Sequence, residues 1–179
     1  MTLRMLPRHT RAAEARAILP PAARLMIRPL VLRDLPAVEA HLLALELVDR
    51  CQRFHACRSD AALAAYVAGL DLERVILIGA FDPTSGALVG LAEAHLDDAQ
   101  RPAAAELSVS VLAPWRAAGL GRRLVRQALA GAFRCGVRSA RFELAPDNRP
   151  MCRLLQALGA RIDPLRGVAA IPCDLPLAA

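Results

Sequence analysis

Apolar and polar positions along the chain change period several times, and each change marks an element. Leu25-Met26-Ile27-Arg28-Pro29-Leu30-Val31-Leu32 is short and rich in branched aliphatics, which predicts a strand. Pro29, which cannot donate to a ladder, places that strand at a sheet edge. From Asp34, a predicted N-cap, Leu35, Val38, Leu42 and Leu45 recur at helical spacing while Glu39 and Glu46 lie off the stripe. One amphipathic helix is therefore expected to about Asp49. A second starts at the Ser59-Asp60 cap, buries Leu63, Tyr66, Val67 and Leu70, and ends near Gly69.

The period then shortens. Residues 75–81 form an apolar strand, Asp82-Pro83-Thr84-Ser85-Gly86 has turn chemistry, and residues 87–94 return, so a hairpin is expected. A loop around 97–102 leads to a strand over 105–111 in which Leu107, Val109 and Val111 alternate with Glu106, Ser108 and Ser110. A helix over 119–135 presents Leu120, Leu124, Ala128, Leu129, Ala132 and Phe133 on one side, with Gly136 suited to its C-cap. Residues 139–144 form another strand, and Asn148 opens a short helix carrying Met151, Leu154, Leu155 and Leu158, stopped by Gly159. Segments 160–162 and 168–171 predict a closing antiparallel pair.

Length and composition sharpen this picture. A chain of 179 residues suits one core, so residues 25–179 are expected to form a single domain behind a flexible Arg- and Ala-rich leader over 1–24. The composition is 55% hydrophobic, yet charges interrupt every apolar stretch short of the ~18 residues of a membrane span. Cys51, Cys57, Cys135, Cys152 and Cys173 contain no Cys-x-x-Cys pair, and His41, His55 and His95 lack the spacing of zinc ligands. Neither a disulfide framework nor a structural metal is expected, and a reducing cytoplasm fits. The net charge of +6, carried without a single Lys, gives a positive field that favours anionic ligands.

The chemistry concentrates in Arg116-x-x-Gly119-x-Gly121, between a strand and a helix. Glycines let backbone approach a ligand, and the first free N–H groups of the helix point outward at its positive end, where a pyrophosphate would be held. Arg122 and Arg123 are placed to add charge. The spacing is neither that of a dinucleotide-binding fold nor that of an NTPase P-loop.

This region resembles the GNAT family of acetyl-CoA-dependent N-acetyltransferases, whose coenzyme motif reads Gln or Arg, two residues, Gly, any residue, then Gly or Ala. Val109-x-Val111 followed by Arg116-Ala117-Ala118-Gly119-Leu120-Gly121 matches it without a gap. Asn148-x-x-Met151-x-x-Leu154 with Leu158-Gly159-Ala160 is similar to the family's second coenzyme-contact motif. The order of elements also agrees over about residues 25–175, with specific motifs confined to 106–159. The resemblance implies an α/β (α+β) fold: a mixed, mostly antiparallel sheet of about seven strands flanked by four helices, splayed open beside the strand ending at Val111. It implies acetyl-CoA as co-substrate, with no metal. The backbone of Val109, Ser110 and Val111 would pair with the pantetheine arm, the amides from Arg116 to Gly121 would hold the pyrophosphate, and Arg122 and Asn148 would complete the site.

An amine near pKa ~10.4 must lose a proton before it attacks a thioester, so a base is required. Glu106 is the candidate, about three residues or ~10 Å before Val109 at strand rise, and it resembles the Ala-Glu start of this strand in bacterial protein-lysine acetyltransferases of the family. One departure stands out. Many members place a general-acid Tyr seven residues after the Asn of the second motif, where this chain has Leu155.

The expected function is acetyl transfer to a primary amine, with a protein lysine ahead of a small amine or a protein N-terminus. A non-catalytic acyl-CoA-binding module is the alternative class. A specific nucleic-acid partner and a membrane are not expected, and a homodimer is an open possibility. Glu93, His95, Asp97 and Asp98 read as solvated charges at a strand end, with the lining of an acceptor pocket as the alternative, Cys135 and Cys152 as small core residues, and Arg50, Arg53, His55 and Arg58 as candidate substrate-side contacts.

Overall fold

The computed structural model describes residues 24–145 and 147–172, so the leader over 1–24, apart from Arg24, lies outside the described residues. Seven strands form one sheet in the order β1-β2-β3-β4-β5-β7-β6. They are β1 (Met26–Pro29), β2 (Val75–Phe81), β3 (Leu88–Leu96), β4 (Ala104–Val111), β5 (Ser139–Glu143), β6 (Arg161–Asp163) and β7 (Val168–Pro172). Neighbours are antiparallel except β4 and β5. Pro29 does lie on an edge strand. The helices are α1 (Leu35–Leu43), α2 (Leu47–Phe54), α3 (Asp60–Ala68), α4 (Leu120–Arg134) and α5 (Arg149–Gln156).

Period-two alternation gives the sheet two apolar faces, and each is covered. On one, Leu120, Leu124, Val125, Ala128, Leu129 and Ala132 of α4 pack against β2, β3 and β4, with Leu155 of α5 joining the same core. On the other, Val38 and Leu42 of α1 and Leu63 and Val67 of α3 meet Val75, Leu77 and Leu91. Ser59 caps α3 by accepting from the Ala62 N–H at 3.2 Å, and Asn148 caps α5 by accepting from the Met151 N–H at 3.1 Å, as their sequence positions predict.

Three expectations are corrected. The single helix expected from Asp34 to Asp49 is two, giving five α-helices among the described residues where four were expected. Glu46 is extended (φ −60°, ψ 152°), and the Arg50 guanidinium donates to the Leu43 carbonyl at 2.8 Å, satisfying a C-terminal group of α1 that continued helix would otherwise take. Asp34 precedes α1 but does not cap it. Its carboxylate receives the Arg28 guanidinium at 2.7 Å on both oxygens and the Val31 N–H at 2.9 Å. That pairing holds its pKa down at about 2.

The third correction is a disulfide between Cys51 and Cys57. Past the end of α2, His55 adopts a left-handed conformation (φ 51°) that folds the chain back and brings the two Cα atoms to 4.5 Å. With this bridge present, cysteine usage no longer argues for a reducing compartment. No helix among the described residues is long and apolar enough to cross a membrane.

Candidate functional site

The parallel pairing of β4 with β5 lasts only from Ala104 to Glu106 against Ser139 to Arg141. Beyond Glu106 the two strands part, and a cleft of about 600 Å³ opens between them. Of the expected base and coenzyme contacts, Glu106, Val109, Ser110, Val111, Arg116, Ala117, Gly119, Leu120, Gly121, Arg122 and Asn148 line it, and Ala118 does not.

One end of the cleft is the loop before α4. Ala117 (φ 61°) and Gly119 (φ 74°) both take left-handed backbone, and a Cβ on Gly119 would meet nothing within 4 Å. Its glycine therefore serves conformation rather than clearance. Gly121 serves clearance, because a Cβ there would lie 3.0 Å from Leu154 Cδ1 and 3.9 Å from Val111 Cγ2. The first intrahelical bond runs from the Arg123 N–H to the Gly119 carbonyl at 3.2 Å, which leaves the N–H groups of Leu120, Gly121 and Arg122 facing out of the helix. Consecutive amides at a helix's positive end, with exposed Arg122 beside them, suit a pyrophosphate. The Leu120 side chain is in the core, so only its backbone can contribute.

The Arg116 side chain turns away from those amides. Its Nε donates to the Val111 carbonyl at 2.9 Å, and its Nη2 pairs with Asp49 on α2. Ser110 is likewise held from behind. His41 Nδ1 donates to the Leu88 carbonyl at 3.0 Å, so its Nε2 accepts the Ser110 hydroxyl at 2.8 Å. Burial pushes the His41 pKa down to about 4, keeping the ring neutral in this role.

At the other end lie exposed Glu106, Ser108, and Gln52, Arg53 and His55 of the disulfide-closed turn. Behind them is a buried polar cluster that the sequence reading missed. Glu93, expected to be solvated, is fully buried, because β3 continues to Leu96 and makes it a mid-strand position opposite Ser108. Its carboxylate takes the Arg53 guanidinium at 2.7 Å as a charge contact without hydrogen-bond geometry, His95 Nε2 at 3.0 Å, and the Tyr66 hydroxyl. Burial alone would raise the Glu93 pKa, but Arg53, His95 and Tyr66 together hold it well below the ordinary carboxylate range. Asp97 and Asp98, by contrast, are exposed and accept loop N–H groups.

Of the arginine candidates, Arg53 reaches the cleft, whereas Arg50 pairs with Asp60 and Arg58 lies over the Phe54 ring. His55 lines the cleft and sits 3.5 Å from Glu143. Cys135 is exposed at the end of α4 rather than in the core, while half-buried Cys152 packs against the core. Leu155 is completely buried and does not line the cleft. Among the described residues, no group of three or more His, Cys, Asp or Glu side chains is arranged to hold a metal.

Residues 40–160 match the acetyltransferase (GNAT) family. The chain belongs to the GNAT family. Solved structures with the same fold include the GNAT domain of the S. lividans PAT, with TM-score 0.66 and 18% identity over 82% of this chain and 88% of that one. A GNAT superfamily phosphinothricin acetyltransferase from Sinorhizobium meliloti in complex with acetyl-CoA gives 0.63 and 18%, over 83% and 88%. The yncA protein of Salmonella typhimurium with its cofactor acetyl-CoA gives 0.61 and 18%, over 87% and 97%. At these identities the likeness is one of fold. Comparison with curated protein sequences finds no match. GNAT membership carries acetyl transfer from acetyl-CoA to an amine as the general chemistry of the chain.

Proposed function

We propose that this GNAT protein acetylates a primary amine, with a protein lysine as the favoured acceptor, using the amides of the 116–122 loop to hold the coenzyme and Glu106 as the base. The observation that carries this reading is the single cleft shared by the loop and Glu106, with Val109–Val111 between them. Acetyl-CoA supplies a thioester whose carbonyl carbon an amine can attack. Outward N–H groups of Leu120, Gly121 and Arg122 bind its pyrophosphate, and the free edge of β4 beyond Glu106 offers backbone groups to its pantetheine arm.

Glu106 sits where β4 and β5 part, on the exposed side, so an ammonium group can reach it directly or through one water. The carboxylate takes the proton that the amine must lose before it attacks. The leaving thiolate is protonated by water, because Leu155 is buried and offers no proton. A thiol with pKa ~8.5 leaves tolerably unaided. The Ala105-Glu106 strand start favours a lysine acceptor, and a small amine or a protein N-terminus is the competing acceptor. Leu155 also supports a second reading, a non-catalytic acyl-CoA-binding module.

Coenzyme binding is tested by a thermal melt. Acetyl-CoA at about 100 times its Kd adds about 2.7 kcal/mol by mass action, which is several degrees in midpoint for a domain of this size. An unchanged midpoint at saturating acetyl-CoA, alongside a rise with a polyanion, would make the loop a general anion contact instead.

A further inference from the structure

Helix α2 has few apolar anchors. None of its residues is fully buried and Leu47 and Val48 are largely exposed, so its apolar packing is concentrated at Phe54, which meets the Tyr66 ring edge-on at 5.2 Å. Charged contacts do much of the remaining positioning, beside the Cys51–Cys57 bridge. Arg50 reaches Asp60 and the Leu43 carbonyl, Arg53 reaches buried Glu93, and Asp49 crosses the cleft to Arg116, 67 residues away in sequence. Arg116 in turn grips the Val111 carbonyl, the last residue of β4. A continuous path of polar contacts thus runs from the loop before α4, through Arg116 and Asp49, to the helix that carries Gln52 and Arg53 into the far end of the cleft.

We propose that Asp49 is a positioning residue that couples the two substrate sites: through Arg116 it makes α2 respond to the coenzyme loop, so that filling the loop orders the acceptor end of the cleft. This rests on the reading of the loop as the coenzyme site. Arg116 Nε and Nη2 are already engaged away from the outward amides, so the guanidinium acts as a brace between strand and helix while the backbone holds phosphate. A ligand that fixes the loop fixes the brace, and the brace restrains α2 at Asp49. The coupling is reciprocal, so an acceptor that orders α2 tightens coenzyme binding by the same factor. Because the Asp49 and Arg116 side chains are 20% and 42% exposed, solvent weakens their pair, and the effect is about 2–5-fold rather than the larger values reached by buried elements.

Hydrogen exchange with CoA as the probe tests this without a known acceptor. In the wild type, CoA is expected to slow exchange at residues 116–123 and, about 2–5-fold, at residues 47–54. In Asp49→Asn the protection at 116–123 should persist while that at 47–54 disappears, and Asp49→Glu, which keeps the carboxylate, should restore part of it. Protection of the loop with no change at 47–54 in the wild type, or equal protection of α2 in Asp49→Asn, overturns the coupling and leaves the coenzyme site standing. No protection anywhere overturns both.

Discussion

Replacing Arg53 by Met would keep most of the side-chain stem and remove the guanidinium from Glu93. The carboxylate is fully buried, and the Arg53 side chain is only 10% exposed, so solvent cannot fill the gap. Breaking such a pair from one side costs about 3–5 kcal/mol, a large fraction of the 5–15 kcal/mol that typically holds a domain together. Tyr66 and His95 still donate to the carboxylate, which places the expected loss near the lower figure. The pH dependence gives a second, independent signature. In the wild type the depressed Glu93 pKa contributes stability that is present above the ordinary carboxylate pKa and lost as pH falls below it. Without Arg53, burial raises that pKa, and the variant gains stability on acidification relative to the wild type. Its deficit should therefore narrow between pH 7.5 and pH 5. Urea unfolding at both pH values measures it, read as a shift in midpoint at constant slope. Replacing Glu93 by Leu in the Arg53→Met background should recover about 2 kcal/mol or more. A loss below about 1 kcal/mol at pH 7.5, unchanged by acid and by the second substitution, would refute a charge-based latch for α2.

Three further variants probe the parts that shape the site. With its pKa lowered from 6.5 to about 4, His41 contributes stability that is complete above pH 6.5 and lost as pH falls toward 4, about 3 kcal/mol in all; His41→Gln should flatten that part of the urea-derived stability curve, and an unchanged curve would place the acid sensitivity elsewhere. Gly121→Phe should drive Leu154 aside and fill the cleft beside Val111, lowering acetyl-CoA affinity at least about tenfold by calorimetry, whereas Gly119→Ala should cost about 1–2 kcal/mol of stability through its left-handed backbone; normal coenzyme affinity in Gly121→Phe would refute the clearance argument.

Much of the sheet and the loop that bounds one end of the cleft could be read from the sequence, for a local reason. Strands β2 and β4 announce themselves by period and branched side chains, and the caps at Ser59 and Asn148 act within three residues of their partners. The loop from Arg116 to Gly121 has its meaning in consecutive backbone, so its spacing alone exposes it. The other end was legible only in part: Arg53 and His55 stand out as candidate contacts and line the cleft, but the order there is set by contacts between distant residues. Arg53 and Glu93 are 40 positions apart by their numbering, and neither burial nor pairing shows in a charged residue's local pattern. Leu45 kept the helical stripe going across the break between α1 and α2, since it still reaches the core from the extended connection. The Cys51–Cys57 bridge depends on a left-handed His55, a backbone choice that its side chain does not advertise. His41 gave no polar signal because it lies on the apolar stripe of α1, and its partner Ser110 lies on another element.

In the proposed reaction the cleft both holds acetyl-CoA and moves a proton at Glu106. Glu106→Gln keeps the size of the side chain and removes its basicity, so it separates the two. Release of free CoA should be followed with amines, polyamines, amino acids and lysine-containing peptides, for the wild type and for this variant. At least one acceptor, with lysine peptides foremost, is expected to drive release by the wild type, and Glu106→Gln to bind acetyl-CoA with near-normal affinity while turnover falls by roughly 10²–10⁴-fold. Equal turnover in the variant would remove Glu106 from the chemistry, and tight coenzyme binding without release for any acceptor would make the protein a binding module.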